Sequence, residues 1–231
     1  MTKENFTSIN VIIDRSGSMA NLADDTIGGF NTFLADQKGQ PGEAVLTLCT
    51  FNTDYRLVHD FVKLNEIPDL NSKSYHPSGG TALLDAMGVT MTEVGRKLAA
   101  LKEEERPSKV IFLVITDGQE NSSRVYAKQQ IADMVKHQQD TYSWEFVFMG
   151  ANIDAIAEGT SLGISTQNTL NFAPTAAGTR GLYSTISENM SSYRSSNSSR
   201  ASFFNQPVTP PTTTTTTTTT VVTPITPPKT K

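Results

Sequence analysis

Apolar residues along this chain fall into short solid runs and into stripes of helical spacing, and the two kinds alternate. Val11-Ile12-Ile13 ends the first run, which predicts a strand over about residues 7–14. Between 21 and 37, Leu22, Ile27, Phe30 and Leu34 lie near helical spacing, and Gly39-Gln40-Pro41-Gly42 closes that helix. Val45 to Phe51 reads as a second strand. Asn52-Thr53-Asp54 then turns into a segment where Tyr55, Leu57, His59 and Phe61 alternate with other residues, which predicts a hairpin at a sheet edge.

Residues 64–78 are polar and irregular. From Ala82 onward, Leu84, Met87, Met91, Val94, Leu98 and Leu101 line one stripe, the clearest helical pattern in the chain. Val110 to Ile115 is apolar throughout, as suits a central strand buried on both faces. The pattern then predicts a helix over 124–138, a strand over 144–149, a short helix over 154–159, a strand over 169–172 and a last helix over 179–193. That last helix carries only a narrow stripe: Leu182, Ile186, Met190 and Tyr193. Strands alternating with helices imply a three-layer, doubly wound α/β fold with a mostly parallel central sheet and one antiparallel edge strand.

Composition changes abruptly after the last stripe. From Ser195 the chain is Ser-rich, then Pro- and Thr-rich with an unbroken threonine run from Thr212 to Thr220. So few apolar residues do not offset the entropy of ordering, so one domain over 1–194 and a disordered tail over 195–231 are expected. A formal charge of −4 without any Lys/Arg cluster gives no footprint for nucleic acid. Cys49 is the only cysteine and sits in an apolar run, which excludes a disulfide within the chain and a cysteine zinc site, and reads as a buried core thiol. No apolar run approaches the roughly 20 residues of a membrane helix, and residues 1–7 have no signal-like apolar core. A cytoplasmic protein is expected, with no membrane partner, and the Asn-x-Ser/Thr triplets at Asn5, Asn121, Asn189 and Asn197 are read as chance.

Three segments bring hard oxygen groups to predicted strand or helix ends: Asp14-x-Ser16-x-Ser18 after the first strand, Gly79-Gly80-Thr81 before the long helix, and Thr116-Asp117-Gly118 after the fully apolar strand. In open parallel sheets, ligands bind outside the carboxyl ends of the strands, near the point where strand order reverses. Two carboxylates and three hydroxyls suit Mg²⁺ or Mn²⁺ and disfavour zinc or copper. Each residue also has a plain structural role open to it. Ser18 and Thr81 are good helix caps, Asp117-Gly118 is a good turn, and Asp14 is a good acceptor for turn N–H groups. Arg15 reads as a rim residue. Asp24-Asp25, Asp85 and Glu120 read as solvated faces with a second ion as the alternative. His59, His76 and His137 share no spacing that suggests a site.

Taken together, Asp14-Arg-Ser16-Gly-Ser18, Thr81 within Gly-Gly-Thr-Ala-Leu-Leu-Asp, and Asp117 within Thr-Asp-Gly resemble the metal-ion-dependent adhesion site (MIDAS) of von Willebrand factor A (VWA) domains. The resemblance covers about residues 5–194 and implies a Rossmann-like VWA fold, shared with integrin inserted domains. It also implies roles: Ser16 and Ser18 coordinate a cation directly, Thr81 joins them when a ligand is engaged, and Asp14 and Asp117 act mainly through water or from one layer further out. The implied partner is a protein that offers an Asp or Glu carboxylate to Mg²⁺ or Mn²⁺. Without a signal segment the chain is similar to intracellular bacterial and phage members, which implies an ATPase or a larger assembly, a viral one included, as partner, and a virion component as a second location. The family's last helix can shift with the state of the metal site.

The leading expectation is therefore a metal-dependent binding module, not an enzyme. Two other classes are kept in view. One is a Mg²⁺-dependent phosphatase-like hydrolase, which would need a second acid where Ser16 stands, and for which no basic residue in a matching motif is found. The other is a structural or assembly protein whose fold no longer uses the metal.

Overall fold

The structure, a computed structural model, describes residues 1–196 and 203–204. The tail expected from 195 onward lies outside the described residues apart from Ser195, Ser196, Phe203 and Phe204. Six strands form one sheet: β1 (Lys3–Asp14), β2 (Glu43–Phe51), β3 (Tyr55–Lys63), β4 (Pro107–Thr116), β5 (Glu145–Gly150) and β6 (Thr169–Asn171). Their order is β3-β2-β1-β4-β5-β6, with β3 antiparallel to β2 and every other pairing parallel. Five helices cover the faces: α1 (Ala23–Lys38), α2 (Leu83–Ala100), α3 (Lys128–Tyr142), α4 (Ala155–Ser161) and α5 (Ala176–Ser195). The fold class read from the pattern is the one observed.

Strand alternation divides the apolar residues between two cores. Ile9, Val11 and Ile13 of β1 point to the face covered by α1 and α5, where they join Phe30, Phe33, Leu182 and Ile186. Ile12 points to the other face, with Phe112, Phe146, Met87 and Val94 beneath α2 and α3. Burial on both faces is why β4 lacks the hydrophobic-polar alternation of a half-exposed strand. α1 and α5 approach very closely, since a Cβ at Gly29 would lie 2.2 Å from the Tyr183 ring. Two buried cations close helix ends on the opposite edge of the sheet from the β1 and β4 carboxyl ends. The Arg194 guanidinium donates to the carbonyls of Gln37 (2.7 Å), Pro41 (3.3 Å) and Gly42 (3.2 Å), and Lys109 Nζ donates to those of Tyr193, Arg194 and Ser196.

Three of the boundaries that differ from the pattern do so for clear local reasons. β1 starts at Lys3, not near residue 7, because an irregularity between Lys3 and Thr7, with Asn5 at φ 56°, lets residue 3 pair again with Pro107. α5 starts three residues early because the Thr175 hydroxyl accepts from the Gly178 N–H and caps it. α3 starts at Lys128, not near Arg124, because the Asp85 carboxylate takes the N–H groups of Arg124, Val125 and Tyr126 at 2.8–2.9 Å and holds them in a loop. Phe203 and Phe204 are buried in the α1/α5 core. Their N–H groups donate to Asn168 Oδ1 (2.8 Å) and to the Gln167 carbonyl (2.9 Å). Among the described residues, no helix is long and apolar enough to cross a membrane.

Candidate metal centre

The chain leaves β1 in one direction along the sheet, to β2, and returns on the other side as β4. A crevice therefore opens where the loops after β1 and β4 diverge, the usual ligand position for this topology. Asp14 ends β1 and is fully buried. Its Oδ1 accepts the Ser16 N–H (2.6 Å), its Oδ2 accepts the Thr116 hydroxyl (2.6 Å), and its carbonyl accepts the Tyr75 hydroxyl (2.6 Å). The carboxylate is thus fixed by the next loop residue and by the neighbouring strand.

A 3-10 turn over Gly17–Leu22 precedes α1. Ser16 occupies its N-cap position but caps no N–H with its side chain. Its hydroxyl lies instead 3.0 Å from that of Ser18, which donates to Asp117 Oδ1 at 2.6 Å. Thr81 precedes α2 and is not its cap, since Ala82 takes that position. The Thr81 backbone is tied to the loop after β4: its N–H donates to Asn121 Oδ1 (2.9 Å), and its carbonyl accepts from the N–H groups of Asn121 (3.0 Å) and Ser122 (3.2 Å). The β1 loop and the glycine loop are laced by Gly17 N–H to the Gly79 carbonyl (3.0 Å) and Ser78 N–H to the Arg15 carbonyl (2.8 Å). Gly80 packs closely here: a Cβ would stand 2.2 Å from Ser122 Oγ and 2.9 Å from Asn121 Oδ1, so any side chain at this position would displace both.

Gly118 shows how the oxygens converge. A Cβ built there would lie 3.2 Å from Thr81 Oγ1, 3.5 Å from Ser18 Oγ and 3.9 Å from Asp14 Oδ2. Three side-chain oxygens from three segments of the chain therefore surround one small space, which the missing side chain keeps open. All five residues singled out by the motif reading, Asp14, Ser16, Ser18, Thr81 and Asp117, meet in this crevice through these contacts. Asp14, Ser16, Thr81 and Asp117 are buried, whereas Gly17 and Ser18 are exposed, so the site opens outward on the Ser18 side.

Burial pushes the Asp14 carboxyl up to about 6, against the lowering effect of its bonds from Thr116 and Ser16, and the nearby Asp117 charge adds to the rise. Burial raises Asp117 as well, with the Ser18 hydroxyl acting against it. Two carboxyls share a buried space, and among the described residues no cationic side chain opposes the rise of either. No cluster of three or more His, Cys, Asp or Glu suited to a metal occurs among the described residues. The donor set is hydroxyl-rich and all oxygen, which fits a hard divalent cation that retains water ligands.

The other acids have different work. Glu120 accepts the N–H groups of Ser122 (2.9 Å), Ser123 (2.7 Å) and Leu84 (3.0 Å). Burial works against ionisation of Asp85, but its three N–H donors outweigh that and hold its carboxyl below the ordinary range. Asp25 pairs with Arg180 at 2.9 Å. Both Glu120 and Asp85 therefore anchor the loop after β4 to the start of α2, where the pattern suggested solvated faces. Thr116, quoted in the motif but given no role there, orients Asp14, and Tyr75 and Asn121 also shape the site although nothing in their sequence context distinguishes them from ordinary loop residues.

No family model and no curated protein sequence matches this chain. Solved structures do match it. A von Willebrand factor type A protein from Catenulispora acidiphila aligns at 15% identity and a TM-score of 0.52, over 83% of this chain and 43% of that one. Proximal thread matrix protein 1 from the mussel byssus, with a zinc-occupied MIDAS motif, aligns at 12% identity and 0.56, over 80% and 46%. The manganese-loaded TRAP protein of Plasmodium vivax aligns at 13% and 0.52, over 75% and 70%. The chain spans less than half the length of the first two. At these identities the likeness is one of architecture, and that architecture is the von Willebrand factor A fold.

Proposed function

We propose that Asp14, Ser16, Ser18, Thr81 and Asp117 hold a divalent cation, Mg²⁺ or Mn²⁺, and that the domain uses this site to bind a protein partner through an Asp or Glu carboxylate. The observation that carries the proposal is the cradle above Gly118, where oxygens of Thr81, Ser18 and Asp14 face one small space beside Asp117, and among the described residues no cationic side chain neutralises Asp14 or Asp117. When bound, the cation supplies a coordination position for a carboxylate oxygen. The residues around it do the rest. Thr116 and the Ser16 N–H orient Asp14 so that it does not rotate away, and Ser18 holds Asp117 by a direct hydrogen bond. Exposure at Gly17 and Ser18 gives a macromolecular ligand access from outside the crevice.

We read the domain as a binding module and not a hydrolase because the position two residues after Asp14, where a phosphatase of this sheet type would place its acid, is a hydroxyl already engaged with Ser18. The test combines calorimetry and peptide binding. Mg²⁺ and Mn²⁺ should titrate with heat into the wild type and not into Asp117→Ala. The peptide acetyl-Gly-Gly-Glu-Gly-Gly-amide should bind in Mg²⁺ and not in EDTA. Absence of metal heat, or peptide binding that ignores EDTA, overturns the proposal. Turnover of a phosphate ester that disappears in Asp14→Ala would favour the hydrolase.

A further inference from the structure

At the end of the sheet opposite the candidate metal centre, a groove of about 530 Å³ opens between the last turns of α2 and α3 and the start of β4, with Leu98, Arg106, Pro107, His137, Tyr142 and Trp144 in its walls. Its aromatic side is built locally. Ser143 ends α3 in the left-handed region at φ 55°, and the Trp144 N–H turns back to the Gln138 carbonyl (3.2 Å), which sets Tyr142 and Trp144 side by side with ring centroids 6.4 Å apart. Trp144 stacks on Phe112 of the core at 5.4 Å, and Tyr142 meets His137 edge-on at 5.8 Å while remaining 59% exposed. Arg106 donates through Nε to the Leu101 carbonyl (3.0 Å) and through Nη2 to that of Ala99 (3.1 Å). Among the described residues, the Trp144 indole N–H and Arg106 Nη1 have no hydrogen-bond partner, and neither atom is closed off from solvent.

Aromatic rings set at angles to one another, with open N–H donors beside them, suit a polyproline II segment. Pyrrolidine rings pack on the aromatic faces, and backbone carbonyls that have no internal partner accept the donors. This chain carries such a segment twice in nearly the same form, Pro207-Val-Thr-Pro-Pro211 and Pro224-Ile-Thr-Pro-Pro228. The first begins three residues after Phe204, whose position is fixed. The Phe203 N–H donates to Asn168 Oδ1 (2.8 Å), Asn168 Nδ2 donates to Glu145 (3.1 Å), and Glu145 directly follows Trp144. Phe203 belongs to the core beneath α1 and α5, and Trp144 to the core beneath α2 and α3, so the two lie on opposite faces of the sheet at the start of β5. That separation is about one layer, roughly 10 Å. Three extended residues span the same distance, about 10 Å, so Pro207 has the reach to meet Trp144. Five residues of polyproline II then cover about 15 Å. The second motif stands beyond the threonine run, and a longer linker lowers its effective concentration at the groove.

We infer that the groove beside Trp144 is a docking site for this chain's own Pro207–Pro211, which packs its rings between Tyr142 and Trp144 and offers carbonyls to the indole N–H and Arg106 Nη1. The threonine run then departs from the end of the domain away from the candidate metal centre, and the arm beyond it leaves that centre clear for a macromolecular ligand. The inference does not depend on the metal-bridged function, since no residue of the groove belongs to the candidate metal centre.

Two measurements on the full chain test this. Nuclear Overhauser contacts should join the ring protons of Trp144 and Tyr142 to the Val208 methyl groups. The same contacts made by Ile225 in place of Val208, contacts seen only between labelled and unlabelled copies, or no contacts at all overturn the assignment. The second measurement uses the peptide acetyl-Pro-Val-Thr-Pro-Pro-amide, read by the emission of Trp144, the only tryptophan of the chain. The peptide should bind a variant with Pro207, Pro210, Pro211, Pro224, Pro227 and Pro228 all replaced by alanine about tenfold more tightly than wild type, whose groove is already filled at an effective concentration on the order of 1 mM. Adding Tyr142→Ala to that variant should weaken the peptide at least fivefold, and Tyr142 is exposed, so its loss leaves the core intact. Equal affinity for wild type and the proline variant, no binding to either, or indifference to Tyr142→Ala overturns the docking site.

Discussion

Replacing the ionisable group at residue 14 probes the electrostatics of the crevice with no metal in the solution. In EDTA, burial holds the Asp14 carboxyl at about 6, against an ordinary value of 3.8. The folded chain therefore binds this proton more tightly than the unfolded chain does. Asp14 favours folding most at low pH, and the contribution is lost as pH rises through about 6. The full displacement is worth about 3 kcal/mol. For a domain of this size that is roughly 6–12 °C of melting temperature. Asp14→Asn does not ionise. It keeps one acceptor oxygen where the carboxylate serves both Ser16 and Thr116, so it carries a penalty that does not vary with pH. Urea unfolding of both proteins in EDTA from pH 4 to 7.5 should show the stability difference moving toward the variant by about 2–3 kcal/mol, mostly between pH 4 and 6. Excess Mg²⁺ should restore the wild type above pH 6. Its apparent affinity should fall about tenfold per pH unit below that point, as a proton competes for the carboxylate. A stability difference that stays flat across the window, or moves toward the wild type as pH rises, refutes the reasoning.

Two further substitutions separate the site from its supports. Gly118→Ala puts a methyl group 3.2 Å from Thr81 Oγ1 and 3.5 Å from Ser18 Oγ, at a residue whose φ is not in the left-handed region. Mn²⁺ affinity by calorimetry should drop at least tenfold, about 1.4 kcal/mol, while the melting temperature in EDTA changes little; an unchanged titration would show that the cradle is not where the ion binds. Asp85→Ala releases the N–H groups of Arg124, Val125 and Tyr126. It should cost about 2–3 kcal/mol in urea unfolding and speed amide exchange selectively at those three residues, and uniform exchange across the domain would contradict the clamp.

The fold was legible because its signal is periodic. Val110 to Ile115 is apolar at every position, and its short length, β-branched residues and flanking Pro107 and Gly118 favour a strand buried on both faces. The stripe from Leu84 to Leu98 is likewise intelligible only as one side of a helix against the sheet. What escaped was held by single side chains bonded to backbone. The delayed start of α3 depends on Asp85, some 40 residues earlier, accepting three N–H groups, and no window of sequence contains both partners. Phe203 and Phe204 stand in a Ser-rich stretch with no period at all, yet both are buried. Their place is set by Asn168, whose Oδ1 takes the Phe203 N–H and whose Nδ2 donates to Glu145 (3.1 Å).

The site divides along the same line. Asp14, Asp85 and Glu120 are carboxylates near the same end of the sheet, and each accepts backbone N–H groups. By chemistry alone any of them qualifies as a metal ligand. Asp85 satisfies its oxygens with three N–H donors and ends below the ordinary carboxylate range, so its charge is already balanced. Asp14 has one N–H and one hydroxyl, is fully enclosed, and ends well above that range, so its charge lacks compensation. The discriminating quantity is the balance between donors and burial at each carboxylate, which depends on residues from separate segments of the chain at once. Hydroxyls at Ser16 and Ser18 and the open space over Gly118 are what the proposed cation would use to restore the balance at Asp14, since hard oxygen donors around a small space suit a small hard cation.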